Sequence, residues 1–163
     1  MNSRDIIQDK IFDANSLGRK LNLWRFKGQR IVFTNGCFDI LHKGHIHLLT
    51  KASEFGDVLI VGLNSDVSVR NLKGINRPLQ DETTRCHLLA SLFYVNAVIK
   101  FDEDTPAELI KLVSPDVLVK GGDYTIDNIV GADWVIQHGG IVEVVSLLDG
   151  YSTSNIEDKM RRQ

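Results

Sequence analysis

The stretch Ile31-Val32-Phe33-Thr34-Asn35-Gly36-Cys37-Phe38-Asp39-Ile40-Leu41-His42-Lys43-Gly44-His45 indicates how this chain folds. It opens with an apolar run typical of a strand that is buried on both faces of a sheet. It closes where helical spacing of apolar residues begins, and two histidines flank Gly44 at that junction. Residues three apart at the start of a helix lie on one side of it. The stretch therefore predicts a strand, a turn and a helix N-terminus that carries both histidines.

The same alternation of short apolar runs and helical stretches continues along the chain. Strands are predicted over 31–33, 58–61, 97–99, 117–119 and 141–145, and helices over 45–55, 82–93, 106–113, 129–138 and 154–161. Strands that alternate with helices are typical of a parallel sheet covered on both faces. We expect an α/β fold with an open, parallel, five-stranded sheet. Ligands of such sheets bind beyond the carboxyl ends of the strands, where the strand order reverses.

Composition excludes several classes of protein. The 163 residues are 43% hydrophobic and 25% charged, with a formal net charge of −2. This is the composition of one globular domain, and it provides no basic field that would attract nucleic acid or an anionic membrane. No apolar run approaches the ~18 residues of a membrane-spanning helix. The polar start is not a signal peptide, and two cysteines make no disulfide framework. We expect a cytoplasmic protein with neither nucleic acid nor a membrane as partner.

Two segments outside the alternating pattern are less regular. Residues 1–27 are predicted to form an N-terminal helical extension to a domain over 28–163, because Leu17, Leu21 and Trp24 recur at helical spacing. The five basic residues between Arg19 and Arg30 indicate either a solvated face or an anion-binding edge. Residues 69–82 are charged and lack a hydrophobic period, which predicts a loop that closes over the site as a lid.

The junction at residues 34–45 favours a phosphate site. A helix N-terminus offers free N–H groups and a partial positive charge, and glycine at 36 and 44 lets an anion approach the backbone. Histidine can donate hydrogen bonds to phosphate oxygens. Three alternatives remain open. Cys37, His42, His45 and His47 could be zinc ligands, although their spacing is unlike that of structural zinc sites. The histidines could be purely structural, and Cys37 could be a nucleophile.

The chain also resembles a known family. His42-Lys43-Gly44-His45 looks like the His-x-Gly-His signature of the cytidylyltransferase-like nucleotidyltransferase superfamily. The order and spacing of the segments 61–66, 68–78, 101–106, 115–124 and 150–154 resemble one branch, the D-glycero-β-D-manno-heptose 1-phosphate adenylyltransferases. That branch occurs as one half of a bifunctional kinase–adenylyltransferase or as a stand-alone protein, and this chain is similar to the stand-alone form. The resemblance implies a Rossmann-like nucleotidyltransferase fold.

The resemblance also implies roles for individual residues. It makes His42 and His45 the catalytic pair that contacts the nucleotide phosphates. Contacts to the second substrate, the sugar phosphate, are expected from Asp39, Lys73 and Arg85. Contacts to the nucleotide and its phosphates are expected from Asn35, Gly36, Cys37, Phe38, Lys51, Asp123, Ser152, Thr153 and Ser154. Ser154 departs from the family pattern, because relatives usually have threonine there, but it keeps the hydroxyl.

The implied reaction transfers AMP from ATP to the heptose 1-phosphate and releases pyrophosphate. The product, ADP-heptose, is a sugar donor for the inner core of lipopolysaccharide. Mg²⁺ is expected to enter with ATP, since the sequence shows no carboxylate cage for it. Relatives are often dimers, which implies a homodimer. The alternative is the same chemistry with CTP and glycerol 3-phosphate or a related alcohol phosphate.

Overall fold

A computed structural model of the chain describes residues 2–148, 150–153, 156 and 159–160. Within them, one sheet contains β1 (Ile11–Phe12), β2 (Ile31–Gly36), β3 (Val58–Asn64), β4 (Ala97–Phe101), β5 (Val117–Gly121) and β6 (Ile141–Val145). The strand order is β1-β4-β3-β2-β5-β6, and every pairing is parallel. The α/β class and the open parallel sheet predicted from the alternating pattern are therefore confirmed.

Helices cover both faces of this sheet. They are α1 (Ser3–Gln8), α2 (Ala14–Phe26), α3 (Lys43–Ser53), α4 (Asp66–Lys73), α5 (Glu82–Ala90), α6 (Ala107–Val113) and α7 (Ala132–Gln137), with a 3₁₀ turn at Ile126–Asn128. One core layer joins the sheet to α2, α6 and α7, and the other joins it to α3 and α5. No helix in the described part of the chain has the length and apolar character needed to cross a membrane.

The sheet has six strands, so the prediction of five was wrong. The additional strand, β1, pairs Ile11 with Val98 and Phe12 with Ile99. Two residues are too few to show the alternation by which a strand is recognised. The predicted helix over 1–27 is correspondingly divided into α1 and α2. Asp13 caps α2 by accepting a hydrogen bond from the Ser16 N–H at 2.8 Å.

Helix α2 packs on the sheet through the residues that the helical spacing indicated. Leu17 and Leu21 are fully buried and Trp24 nearly so, and all three belong to the same core layer as Phe33. Arg25, one of the five basic residues, is not free for an anion. Its Nη2 donates to the carbonyls of Val113 at 2.6 Å and Ser114 at 3.4 Å, which caps the end of α6.

The predicted loop over 69–82 is partly helical. Its first five residues, Val69 to Lys73, form the second half of α4, which begins after the N-cap Ser65. Only Ser68 and Val69 of α4 are buried, so its apolar residues show no helical period. The loop is therefore restricted to residues 74–81 and ends at Asp81, which caps α5 by accepting from the Thr84 N–H at 2.9 Å.

The topology positions a binding crevice. The chain leaves β2 and passes to β3 on one side, whereas β5, on the other side, follows β4. This reversal makes the carboxyl ends of β2 and β5 the switch point of the sheet. Thr34 pairs with Val119 there, and the histidine-bearing α3 begins seven residues after the end of β2.

Gly62, in the centre of β3, provides a test of the packing. A Cβ at this position would lie 2.7 Å from Cζ of Phe33 and 3.1 Å from Cδ2 of Leu109. We expect Gly62→Ala to lower the free energy of unfolding by about 1–3 kcal/mol, because overpacking strains a close-packed core.

The matched control is Gly18→Ala in α2, where an added Cβ meets nothing within 4 Å. This substitution should raise the free energy of unfolding by up to ~1 kcal/mol through helix propensity. Urea denaturation of both variants and the unsubstituted protein measures these free energies of unfolding. Equal stability of the two variants would contradict the packing described here.

Candidate active site

A cavity of about 610 Å³ opens at the carboxyl ends of β2, β3 and β5. Ten of the predicted site residues line it: Asn35, Gly36, Cys37, Phe38, Asp39, His42, His45, Lys73, Ser152 and Thr153. They come from the end of β2 and the turn after it, the start of α3, the end of α4 and the segment that follows β6. Residues that are far apart in sequence are thus collected at the switch point of the sheet.

His42 and His45 form a stacked pair at the N-terminus of α3. Their ring centroids are 3.8 Å apart and the ring planes are inclined by 24°. His42 is the N-cap residue, and its Nδ1 accepts the N–H of Gly44 at 3.1 Å. Because Nδ1 is the acceptor, this bond assigns the proton of the neutral ring to Nε2. His42 therefore retains one N–H that can be donated to a ligand.

Both histidines favour the neutral state. Burial lowers the pKa of His45 to about 4, with the neighbouring His42 as a second cause. Burial also lowers the pKa of His42. At neutral pH the pair therefore offers two neutral N–H donors rather than two cations. Positive charge in the cavity must come from other groups.

The turn after β2 depends on Gly36, the last residue of that strand. A Cβ on Gly36 would lie 3.0 Å from Cε2 of Phe38. Phe38 adopts a φ of 45°, the left-handed region that a bulky residue rarely enters, and its side chain is buried. Its ring meets His45 edge to face at a centroid distance of 5.2 Å. The strained turn therefore places an aromatic wall behind the second histidine.

Asp39 ties the loop after α4 to this turn. Its carboxylate is buried and accepts from the Leu79 N–H at 2.8 Å, the Gln80 N–H at 2.9 Å and Nη1 of Arg77 at 2.8 Å. Burial alone would raise the pKa of Asp39, but these three donors hold it below its ordinary value. The residue lines the cavity, yet its oxygens are already engaged by protein donors.

Arg85 lies away from the cavity wall. It is fully buried, and its guanidinium donates to the carbonyls of Cys37, Asn64 and Gln80 at 2.7, 2.8 and 3.0 Å. A fourth bond of 2.7 Å reaches Oδ1 of Asp66. Direct contact with a sugar phosphate, which the resemblance implied, is not available in this arrangement. Arg85 instead joins the turn after β2, the end of β3, the start of α4 and the loop before α5.

Three further predicted residues are not among those that the structure brings to the cavity. Lys51 is exposed on α3, six residues after His45, and pairs with Glu54 at 2.8 Å. Asp123 is exposed beyond Gly122, whose φ of 135° turns the chain outward. Ser154 and most of the predicted helix over 154–161 lie outside the described residues.

The cavity also contains residues for which the sequence patterns and the resemblance implied no individual role. They are Asn64, Asp104, Thr105, Lys120, Tyr124 and Tyr151. Lys120 is the last residue but one of β5, and its position at the carboxyl end of a strand is the signal that could have identified it. Asp104 and Thr105 follow β4 in the same way.

The alternatives to a phosphate site find less support. Among the described residues, no three His, Cys, Asp or Glu side chains form a group that could hold a metal ion, and these residues include all four of the zinc candidates. Burial raises the pKa of Cys37, so the thiol and not the nucleophilic thiolate predominates at neutral pH.

Comparisons with known proteins agree with this geometry. A family model described as cytidylyltransferase-like matches residues 33–156, which include the turn, both histidines and the cavity-lining Ser152 and Thr153. The chain belongs to the cytidylyltransferase-like family. A relative named bifunctional protein HldE, from Geobacter metallireducens, is 54% identical over 153 residues. The match covers 94% of this chain but 31% of that protein, so the chain spans about a third of the length of such relatives.

Two solved structures share the fold of this family member. The lipopolysaccharide core biosynthesis protein from Thermoplasma volcanium superposes with a TM-score of 0.61 at 31% identity, covering 77% of this chain and all of that one. Pantoate-beta-alanine ligase from Francisella tularensis gives a TM-score of 0.60 at 17% identity, covering 94% and 79% of the two chains. The second similarity supports the fold alone.

The four hydrogen bonds of Arg85 predict a large effect on stability. We expect Arg85→Ala to lower the free energy of unfolding by about 3 kcal/mol, because three carbonyls and the Asp66 carboxylate lose their donor. Arg70→Ala, at an exposed position of α4, should change it by less than about 0.5 kcal/mol. Chemical denaturation measures both values. A loss at Arg85 no larger than that of the Arg70 control would refute the conclusion that Arg85 holds these four segments together.

The low pKa of His45 predicts a pH dependence of stability. Between about 6.5 and about 4 the unfolded chain binds a proton at this histidine and the folded chain does not. The contribution of His45 is therefore complete above pH 6.5 and is lost as the pH falls towards 4. We expect His45→Gln to flatten the decline of stability in this window, and His87→Gln, at an exposed position of α5, to leave it unchanged. The measurement is the free energy of unfolding of the two variants and the unsubstituted protein between pH 4 and pH 6.5. The same pH dependence in all three proteins would contradict the low pKa of His45.

Proposed function

We propose that this protein transfers AMP from ATP to D-glycero-β-D-manno-heptose 1-phosphate, giving ADP-heptose and pyrophosphate. The observation that carries the proposal is the pair of neutral histidines at the N-terminus of α3, facing a cavity at the switch point of the sheet. The resemblance of the whole motif set to the heptose adenylyltransferases supports the choice of substrates. So do the names of relatives that match over nearly the whole chain.

The chemistry requires no covalent enzyme intermediate. An oxygen of the sugar phosphate attacks the α-phosphorus of ATP in line and forms a new P–O bond. The bond from the α-phosphorus to the α–β bridging oxygen breaks, and pyrophosphate leaves with that electron pair. The enzyme contributes orientation of the reactants and stabilisation of the charge that builds on the α-phosphoryl oxygens.

The histidine pair suits this second task. The N–H that His42 retains on Nε2 and the single N–H of the neutral His45 ring are proposed to donate to α-phosphoryl oxygens. The N-terminus of α3 adds the positive end of a helix dipole at the same place. Because these donors are fixed by the cap and by ring stacking, they need little reorganisation as the transition state forms.

The other cavity residues supply binding. Lys73, at the end of α4, is proposed to contact the sugar phosphate, with Asp39 holding the adjacent loop and Arg85 positioning the turn. Nucleotide contacts are proposed for Asn35, Gly36, Cys37 and Phe38, and phosphate contacts for Ser152 and Thr153. Lys51, Asp123 and Ser154 remain proposals that rest on the family resemblance alone.

A divalent cation belongs to the substrate in this scheme. ATP-dependent enzymes of this kind generally need one, and we propose Mg²⁺ carried on the triphosphate. Its role would be to neutralise phosphate charge. A cytoplasmic location, expected from the composition, and a homodimeric state, implied by the resemblance, are likewise proposals.

The test is a pyrophosphate-release assay with four nucleoside triphosphates against a panel of acceptors. The panel contains the β-anomer of D-glycero-D-manno-heptose 1-phosphate, its α-anomer, hexose 1-phosphates and glycerol 3-phosphate. We expect the fastest release with ATP and the β-heptose 1-phosphate. Fastest release with CTP and glycerol 3-phosphate would replace the proposal by the cytidylyltransferase alternative.

Substitution of the histidines separates catalysis from binding. His42→Ala and His45→Ala should each lower kcat by about 10²–10³, while ATP affinity changes far less, because the donors act mainly on charge in the transition state. The double variant should lose less than the product of the single losses, since both residues act on one group.

The measurements are kcat, ATP affinity and melting temperature for the three variants. A purely structural role predicts a lower melting temperature with an unchanged kcat per folded molecule. A kcat within about threefold of the unsubstituted enzyme, far from the loss expected for such a donor, would remove that histidine from the mechanism.

A further inference from the structure

Lys120 is a half-buried lysine in the cavity for which the proposed function has so far named no role. It lies near the carboxyl end of β5 and lines the cavity together with both histidines. Among the described residues its ammonium has no carboxylate and no hydrogen-bond acceptor. It faces the ring of Tyr124 instead, with Nζ 5.9 Å from the ring centroid.

The register of β5 places Lys120 opposite the histidine pair. Side chains alternate along a strand, so Lys120 shares a face with Leu118, which belongs to the core layer of α2, α6 and α7. Helix α3 covers the other face, where an added Cβ on Gly121 would meet Leu48 at 2.9 Å. A ligand at the edge of the sheet would therefore lie between His42 and His45 on one side and Lys120 on the other.

The cavity has few cationic side chains that could bind an anion. Lys73 and Lys120 are its only lysine or arginine residues among those described, whereas both histidines favour the neutral form. Burial lowers the pKa of Lys120, and the nearby Cys37 is the group that raises it. A partly desolvated ammonium without a counter-charge costs free energy, which an anionic ligand would recover.

We propose that Lys120 binds a phosphate oxygen of the nucleotide triphosphate from the face of the sheet opposite the histidine pair. This inference rests on the proposed function and adds a residue to it. The triphosphate is favoured over the sugar phosphate by the neighbours of Lys120. Lys120 pairs in register with Val144 of β6, and the segment that follows β6 brings Ser152 and Thr153 into the cavity. Lys73 approaches from α4 instead.

The experiment is calorimetric titration of the full chain with ATP, adenosine and heptose 1-phosphate. Lys120→Gln should bind ATP about 10- to 100-fold more weakly, the range expected for loss of a charged hydrogen bond. Adenosine, which has no phosphate, should bind as before, and Lys120→Arg should recover most of the ATP affinity. The control Lys111→Gln, on α6 where the lysine pairs with Glu108, should behave as the unsubstituted protein.

Each other outcome overturns a stated part of the proposal. ATP affinity of Lys120→Gln within about twofold of the unsubstituted protein refutes phosphate binding by Lys120. Equal losses for ATP and adenosine indicate a structural role, and loss confined to heptose 1-phosphate assigns the lysine to the other substrate. If Lys120→Gln does not fold, Lys120→Met, which keeps the apolar stem, takes its place. An unsubstituted protein that does not bind ATP refutes the proposed function itself.

Discussion

The hydrogen bond from the Gly44 N–H to Nδ1 of His42 is the interaction on which the candidate site depends. It caps α3, so it fixes where the helix begins at the end of the sheet. It also selects the tautomer of His42 and orients the ring against which His45 stacks. A Cβ on Gly44 would lie 3.0 Å from the His42 ring and 3.1 Å from the Tyr151 carbonyl oxygen. Glycine at this position therefore lets the helix N-terminus, the ring and the segment after β6 pack closely. One short contact therefore couples helix formation to the chemistry of the site.

A second layer of buried charge supports this arrangement. Asp39 and Arg85 do not face each other, but both hold the loop before α5: Asp39 through the N–H groups of Leu79 and Gln80, Arg85 through the Gln80 carbonyl. Burying charges is costly unless every polar atom finds a partner, and here the partners are mostly backbone groups of turns. These hydrogen bonds satisfy the buried charges and at the same time fix the geometry of segments that have no regular secondary structure.

Sequence patterns predicted those features whose physical cause is local. The buried strands, the start of α3 and the paired histidines follow from hydrophobic runs, glycine positions and spacing, and the turn residues 35–39 do line the cavity. Features that depend on distant contacts were missed. Strand β1 exists only because β4 provides a partner, and α4 has too few buried residues to show a period. Arg85 is polar in sequence, and only the fold reveals that four acceptors from separate segments surround it.

The shortness of β1 has a consequence for the edge of the sheet that it covers. Without it, β4 would be an edge strand of the sheet, with apolar Val98 and Ile99 and unpaired backbone groups open to another chain. Exposed edges of this kind promote intermolecular strand pairing and aggregation. A two-residue strand satisfies those groups but is too short to serve as a template for the next molecule. The residues before α2 thus limit strand addition at this edge of the sheet, whereas β6 forms the opposite edge.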